Sequence, residues 1–195
     1  MKKNKKRSPV LFIILGLIVL AAGLLLIFGS KIVSKLRESS LPLSYREEIV
    51  NAAHRYGLEP AFVAAVVRTE SNFDPKAVSG DGAIGLMQVL PATGEWIAWR
   101  RGAEFDREKL YDPEFNLDYG CWLMSFLLER YGGNEKYALI AYNAGFARLD
   151  EWLKTNADEN GELGEIPYAE TRNYVDRITR LKERYGEVYG TELDG

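Results

Sequence analysis

From Val10 to Phe28 the chain runs 19 residues without a charged or polar side chain. As a helix at about 1.5 Å per residue, such a run covers about 28 Å, the depth of a bilayer's hydrocarbon core. Residues 10–29 are therefore expected to form a transmembrane helix. A cleavable signal peptide would carry an apolar stretch of only about 7 to 15 residues. No Cys follows Leu20-Ala21-Ala22-Gly23, so a lipoprotein anchor is excluded too.

Beyond Ser44 the pattern changes to short apolar stripes at helical spacing, separated by Gly, Pro, Asp and Ser. Ser44 to Glu47 has the form of a capping box, predicting a helix to about Tyr56 with Gly57 as its stop. Pro60 suits the first position of a second helix through AFVAAVVRTE. Residues 72–85 are dense in Gly, Asp, Ser and Pro and predict a loop with at most a very short β excursion. Pro91 starts a helix through Trp99; Asp112-Pro113 opens a long one through Tyr131, closed by Gly132-Gly133; Asn134 caps the next. Tyr174, Ile178, Leu181 and Tyr185 place a last amphipathic helix over 168–185. The expectation is an all-α domain over residues 44–187, after a basic tip (1–9), the membrane span (10–29) and a linker (30–43), with a polar tail at 188–195.

Composition adds mostly exclusions. Of 195 residues 47% are hydrophobic, enough for a core, while one Cys and one His rule out a disulfide framework or a closed Cys/His zinc site. No metal and no cofactor are expected. The net charge of −3 averages two unlike regions: MKKNKKR carries five positive charges, and the remainder holds 20 basic against 28 acidic residues. Positive charge before the span places the N-terminus in the cytoplasm and the domain outside, as a single-pass protein of the plasma membrane. The acidic exported part gives no footprint for nucleic acid. The lone His54 reads as a helix-face residue, Cys121 as a buried thiol, most of the four Trp as core, and 158–165 as a solvated acidic loop.

Glu70 is the first candidate for chemistry. Val63, Val66 and Val67 stand seven, four and three positions before it, so its carboxyl continues an apolar stripe. It also lies near a helix C-terminus, where the macrodipole disfavours negative charge. Both effects favour the protonated form that a general acid requires, while a rim residue or an ion-pair partner is the other reading of a Glu at the end of an apolar helix.

Several short segments around Glu70 occur in one order: Glu70-Ser71, Ser79, Gly82-Ala83, Gly85-Leu86-Met87-Gln88, Pro91, then Ala141-Tyr142-Asn143-Ala144-Gly145, and Pro167-Tyr168 with Glu170-Thr171 and Tyr174-Val175. From Leu58 to Tyr185 the chain resembles the Slt-type lytic transglycosylase domain, a goose-lysozyme-like fold that cleaves bacterial peptidoglycan. The resemblance implies that Glu70 is the catalytic acid/base and that glycan strands are the substrate. It implies cleavage between N-acetylmuramic acid and N-acetylglucosamine without water, leaving a 1,6-anhydro end.

By the same resemblance Tyr142 bonds the catalytic carboxylate. Gln88 offers an amide to sugar acetamido or hydroxyl groups. Met87 either packs on a sugar face or belongs to the core, and Ser71 either bonds the acetamido group or ties down the helix end. Asn143 and Glu170 shape and support the cleft, an ion pair with Arg172 being the alternative for Glu170. Two rival functions share the fold: a goose-type lysozyme, with Asp74, Asp81 or Glu95 positioning an attacking water, and a non-catalytic peptidoglycan-binding scaffold.

Overall fold

A computed structural model describes residues 41–193. The transmembrane helix expected at 10–29 lies outside the described residues, within which no helix is long and apolar enough to cross a membrane. The described helices are α1 (Arg46–Arg55), α2 (Pro60–Glu70), α3 (Pro91–Arg101), α4 (Pro113–Arg130), α5 (Glu135–Ala144), α6 (Phe146–Thr155) and α7 (Ala169–Leu193), with a 3-10 turn at Arg107–Tyr111. The all-α expectation holds among these residues. The extended excursion is three residues deep, as isolated bridges joining Val78 to Ile84 and Ile84 to Val89.

The architecture is built around α2. Every residue from Pro60 to Val67 is buried, so this helix is apolar on all sides and forms the centre of the core. Its most extensive partner is α7. Each fully buried valine contributes roughly 1.5–3 kcal/mol, which fixes α2 and leaves Glu70, at its last turn, emerging where the core ends. Asp118 of α4 ties three elements together by accepting from Arg55 (2.7 Å), Tyr56 (2.6 Å) and Arg101 (2.6 Å).

Most helix boundaries fall where the punctuation placed them. Pro60 and Pro91 sit in the first turns of α2 and α3, and the side chains of Asp112 and Asn134 accept from Phe115 N (2.9 Å) and Tyr137 N (3.1 Å). Gly57 takes φ +65° just after α1, where Leu58 N closes back onto Ala53 O at 2.8 Å.

Four boundaries differ. The Ser44 capping box does not form: Tyr45 adopts a left-handed backbone (φ 57°) and α1 starts at Arg46 with no side-chain cap. α3 continues two residues past Trp99 to Arg101, where Gly102 at φ 65° ends it. α6 and the 3-10 turn were not expected; the chain re-enters a helix directly after Gly145, which turns at φ 89°. α7 continues to Leu193, so the polar tail expected at 188–195 is helical through 193. Tyr185, Tyr189 and Leu193 extend its buried stripe at four-residue spacing, which outweighs the roughly 1 kcal/mol that each of Gly186 and Gly190 costs a helix.

Candidate active site

Immediately after Glu70 the chain reverses through Asn72 (φ 54°) and Phe73 (φ 64°), two non-glycine residues in the left-handed region. A bulky residue there is strained by about 1–3 kcal/mol and persists only when its surroundings hold it. Phe73 is buried, with its ring edge-on to Tyr185 at 6.5 Å. The reversal sends residues 74–90 back beside the end of α2, and one buried side chain of α4 clamps their inner turn. Asn116 accepts from Met87 N (2.7 Å) and donates to Ile84 O (2.8 Å) and Leu110 O (2.8 Å). A methyl group on Gly85, at φ +79°, would collide with the Asn116 amide and the Leu110 carbonyl, which is why glycine stands there.

Glu70 is half-buried at the meeting point of two openings. The larger groove, about 810 Å³, runs between the 71–88 loop and α7; a smaller pocket of about 360 Å³ holds Asn143, Glu170 and Tyr174. Thr69, Glu70 and Arg177 line both. Asn143 in turn joins the smaller pocket to a third opening of about 420 Å³, walled by Leu90, Trp96, Tyr142 and Phe146. Shared residues thus link the three into one cleft, with Glu70 between a polar and an apolar arm.

The Tyr174 hydroxyl donates to Glu70 Oε1 at 2.6 Å. Burial pushes the Glu70 carboxyl up to about 7, and the bond from Tyr174, which favours the ionised form, pulls in the other direction. Burial first, and then the adjacent Glu70 carboxylate, hold both the Tyr174 and Tyr142 phenols well above their usual range. At neutral pH the site therefore contains two neutral phenols and one carboxyl balanced between its forms.

Each residue expected at the site can now be placed. Tyr142 stands in the electrostatic reach of Glu70 but does not bond it; its hydroxyl donates to Met87 O at 2.8 Å. The carboxylate partner is instead Tyr174, of the Tyr174-Val175 segment. Its spacing on α7 marks it as core, and only the packing of α7 on α2 reveals that its hydroxyl reaches Glu70. Met87 is 0% exposed, with Cys121 Sγ 3.8 Å from its sulfur, so it packs in the core and presents no face to a sugar. The burial of Cys121 pushes its thiol well up, away from reactivity.

Ser71 donates to Leu86 O (2.9 Å), tying the helix end to the loop, yet it also lines the larger groove. Gln88 donates through Nε2 to Ala77 O (3.1 Å) and Gly85 O (3.0 Å), leaving its carbonyl oxygen as the group free to face the groove. Asn143 Oδ1 accepts from Thr171 Oγ1 at 2.7 Å and fastens α5 to α7. Glu170 lines the smaller pocket and makes no pair with Arg172, which binds Glu165 at 3.4 Å and the Pro167 carbonyl at 3.2 Å.

Of the tryptophans only Trp152 is buried; Trp96 borders the apolar arm, and Trp99 is 74% exposed. Asp74, Asp81 and Glu95 line none of the three openings that make up the cleft. His54 is exposed on α1, as expected. Among the described residues no cluster of His, Cys, Asp and Glu is arranged to hold a metal ion.

Several known proteins are similar to this chain in sequence and in fold. The chain is 30% identical over 158 residues to the soluble lytic murein transglycosylase of Escherichia coli (strain K12), covering 78% of this chain and 24% of that protein. It is 34% identical over 157 residues to the membrane-bound lytic murein transglycosylase C of Actinobacillus pleuropneumoniae serotype 5b, covering 68% and 43%. Among solved structures, an inactive mutant of the lytic transglycosylase Slt from Pseudomonas aeruginosa superposes with a TM-score of 0.70 at 31% identity, over 77% of this chain and 25% of that one. The complex of the 70 kDa soluble lytic transglycosylase with bulgecin A gives 0.72 at 28% identity, over 79% and 26%. This chain thus spans between a quarter and a half of the length of the relatives it matches, and the mostly helical, lysozyme-like fold is shared with them. Residues 47–163 match the family model described as the transglycosylase SLT domain, and since that stretch is more than half of the sequence, the chain belongs to this family.

Proposed function

We propose that the protein is a peptidoglycan lytic transglycosylase, held at the plasma membrane by residues 10–29 with its helical domain outside. The observation that carries the reading is Glu70: a carboxyl poised near 7, bonded by Tyr174, at the centre of an open cleft in a chain of this family. The bond addressed is the β-1,4 link from N-acetylmuramic acid to N-acetylglucosamine. Membrane attachment is supported by the uninterrupted apolar run and by the membrane-bound relatives.

Protonated Glu70 donates to the glycosidic oxygen as the bond to muramic acid C1 breaks. The sugar's own 2-acetamido group stabilises the developing positive charge, so no second carboxylate is required. Glu70, now ionised, receives a hydrogen bond from Tyr174 that is stronger to the charged form than to the neutral one. It then takes the proton from the C6 hydroxyl, whose oxygen closes onto C1. The product is a 1,6-anhydro ring; Glu70 ends protonated and no water is consumed. A pKa near 7 suits a group that must both give and take a proton at neutral pH.

Ser71, Gln88 and Asn143 supply polar groups along the cleft, while Tyr142 supports the loop through Met87 O. Glu170 positions substrate in the smaller pocket and transfers no proton. Met87 acts only from the core. The test is mass spectrometry of the fragments that the full chain, in detergent, releases from purified sacculi. Ends lighter by one water than hydrolysed ends are expected. Reducing ends alone would make the protein a lysozyme, and binding without any release would make it a scaffold.

A further inference from the structure

One large apolar side chain belongs neither to the core nor to the cleft. Among the described residues five such side chains stay exposed: Val78, Leu90, Trp99, Phe146 and Tyr168. Val78, Leu90 and Phe146 line the openings around Glu70, and Tyr168 lies edge-on to Trp152 at 5.0 Å. Trp99 is the most exposed of the five at 74%. It lines none of the three openings and, among the described residues, packs against no other ring.

A lone exposed hydrophobic residue is ordinary, but the setting of Trp99 is not. The next residue, Arg100, has no carboxylate partner among the described residues, and it does not face the larger groove as Arg68, Arg177, Arg180 and Arg184 do. Its guanidinium lies over the rings of Trp96 (5.8 Å) and Phe126 (5.5 Å), and Phe126 in turn stacks on Trp122 at 5.6 Å. A cation and an indole are thus held side by side on a rigid helix end. Residues 41–195 hold 17 Lys and Arg against 27 Asp and Glu, whereas α3 ends in two arginines and carries one acid, Glu95, a turn before Trp99.

The corner also lies near the point where the linker enters. Arg55 and Arg101, the last residues of α1 and α3, both donate to Asp118, at 2.7 and 2.6 Å. The 10 residues of α1 cover about 15 Å from there back to Arg46, three positions after the linker ends. Residues 30–43 reach roughly 45–50 Å when extended, so the tether spans that separation with length to spare.

We infer that the Trp99–Arg100 corner of α3 docks on the outer leaflet of the plasma membrane, with the indole among the lipid headgroups and the guanidinium on anionic lipid phosphates. The inference rests on the reading of residues 10–29 as a membrane anchor. Tryptophan favours the membrane–water interface, and arginine pairs with phosphate in a planar, two-pronged geometry. One indole and one guanidinium are far less than the roughly 800 Å² per partner of a stable protein interface, which argues against a second copy or another protein. They suffice for a tethered domain, because the anchor makes the second contact intramolecular. Docking holds the domain against the bilayer and brings its cleft to the wall strands nearest the membrane.

The test places the full chain in vesicles of phosphatidylglycerol and phosphatidylethanolamine, with acyl chains either plain or brominated near the headgroup, and compares tryptophan emission. All four Trp lie between positions 96 and 152 and none in the apolar run, so the emission reports on the domain alone. The chain should float with the vesicles, and bromine should quench part of its emission. Trp99→Phe should abolish that quenching with an unchanged circular dichroism spectrum. Arg100→Gln, which keeps the indole, should lower the docked-to-free ratio about fivefold, and vesicles of phosphatidylcholine or added salt should lower it in the wild type. A chain that floats without quenching, or whose quenching survives in Trp99→Phe, overturns the docking. Emission that responds instead to added glycan strands, or to protein density in plain vesicles, assigns Trp99 to a strand or to a second copy and also overturns it. A chain that does not float overturns the anchor, and this inference with it.

Discussion

Glu70 stands between two walls of opposite character. The loop wall, residues 71–88, is held from within: the Asn116 amide of α4, the loop's own Gln88 Nε2 and the Ser71 hydroxyl bond its carbonyls and amides. The helix wall, α7, does the reverse; it sends one phenol inward to Glu70 and leaves three arginines facing the groove. The loop wall therefore fixes the backbone beside Glu70, and the helix wall supplies the hydrogen bond that opposes the rise burial gives its pKa.

The sharpest way to break this division is at the junction. Glu70→Gln removes the proposed acid while keeping an oxygen for Tyr174 to donate to, and release of 1,6-anhydro ends should fall by at least about 10³-fold by mass spectrometry. A smaller loss would mean that either wall supplies the proton. The loop wall is tested by Asn116→Ala, which strands one buried N–H and two buried carbonyls. At about 1–3 kcal/mol each, stability should drop by at least about 3 kcal/mol in urea unfolding. A helix wall that carried the fold's organisation would leave this variant near wild type.

The same Glu70→Gln substitution has a second consequence, in stability. The folded-state carboxyl sits at about 7, against 4.5 when unperturbed, so ionising it in the folded state is penalised. Below pH 4.5 both states are protonated and the penalty is absent; it grows between 4.5 and 7 and is complete above. The variant should thus be more stable than wild type by up to about 3 kcal/mol at pH 8, a gain that vanishes near pH 4. Urea midpoints across pH measure it, and a pH-independent difference would contradict the assigned shift.

Tyr174→Phe probes the helix wall alone. Losing the donor leaves burial unopposed, so the Glu70 pKa rises above about 7 and the alkaline limb of the pH–rate profile moves upward. The rate itself should fall about tenfold, because the carboxylate loses a bond worth about 1.5–3 kcal/mol. Tyr142→Phe, whose hydroxyl bonds Met87 O, should lower stability without that shift. The smallest effect belongs to Met87→Leu, a volume-conserving core exchange costing less than about 1.5 kcal/mol, with KM for glycan strands unchanged. A raised KM would return Met87 to the groove.

Much of this was legible beforehand, and the reasons differ by element. Pro60, Pro91, Asp112, Asn134 and Gly57 act through their own backbone or their nearest neighbours, so their helix boundaries could be read locally. The Ser44 box failed because the backbone turned at Tyr45, and the end of α7 was missed because two glycines masked a buried stripe. Glu70 was legible from its place on an apolar stripe at a helix end. Tyr174 as its partner was not, because 104 residues separate them and both tyrosine candidates have the same chemistry.

The order of the helices other than α6, the all-α class, the absence of a disulfide framework and the carboxyl that burial would raise were thus determined by the sequence itself. Each depends on composition or on contacts within one helix. Which tyrosine bonds Glu70, that Met87 points into the core, that Asn116 clamps the loop and that four arginines share a groove were decided only by tertiary structure. Those outcomes depend on how α2, α4 and α7 pack, and side-chain direction across a packed interface is set by both partners at once.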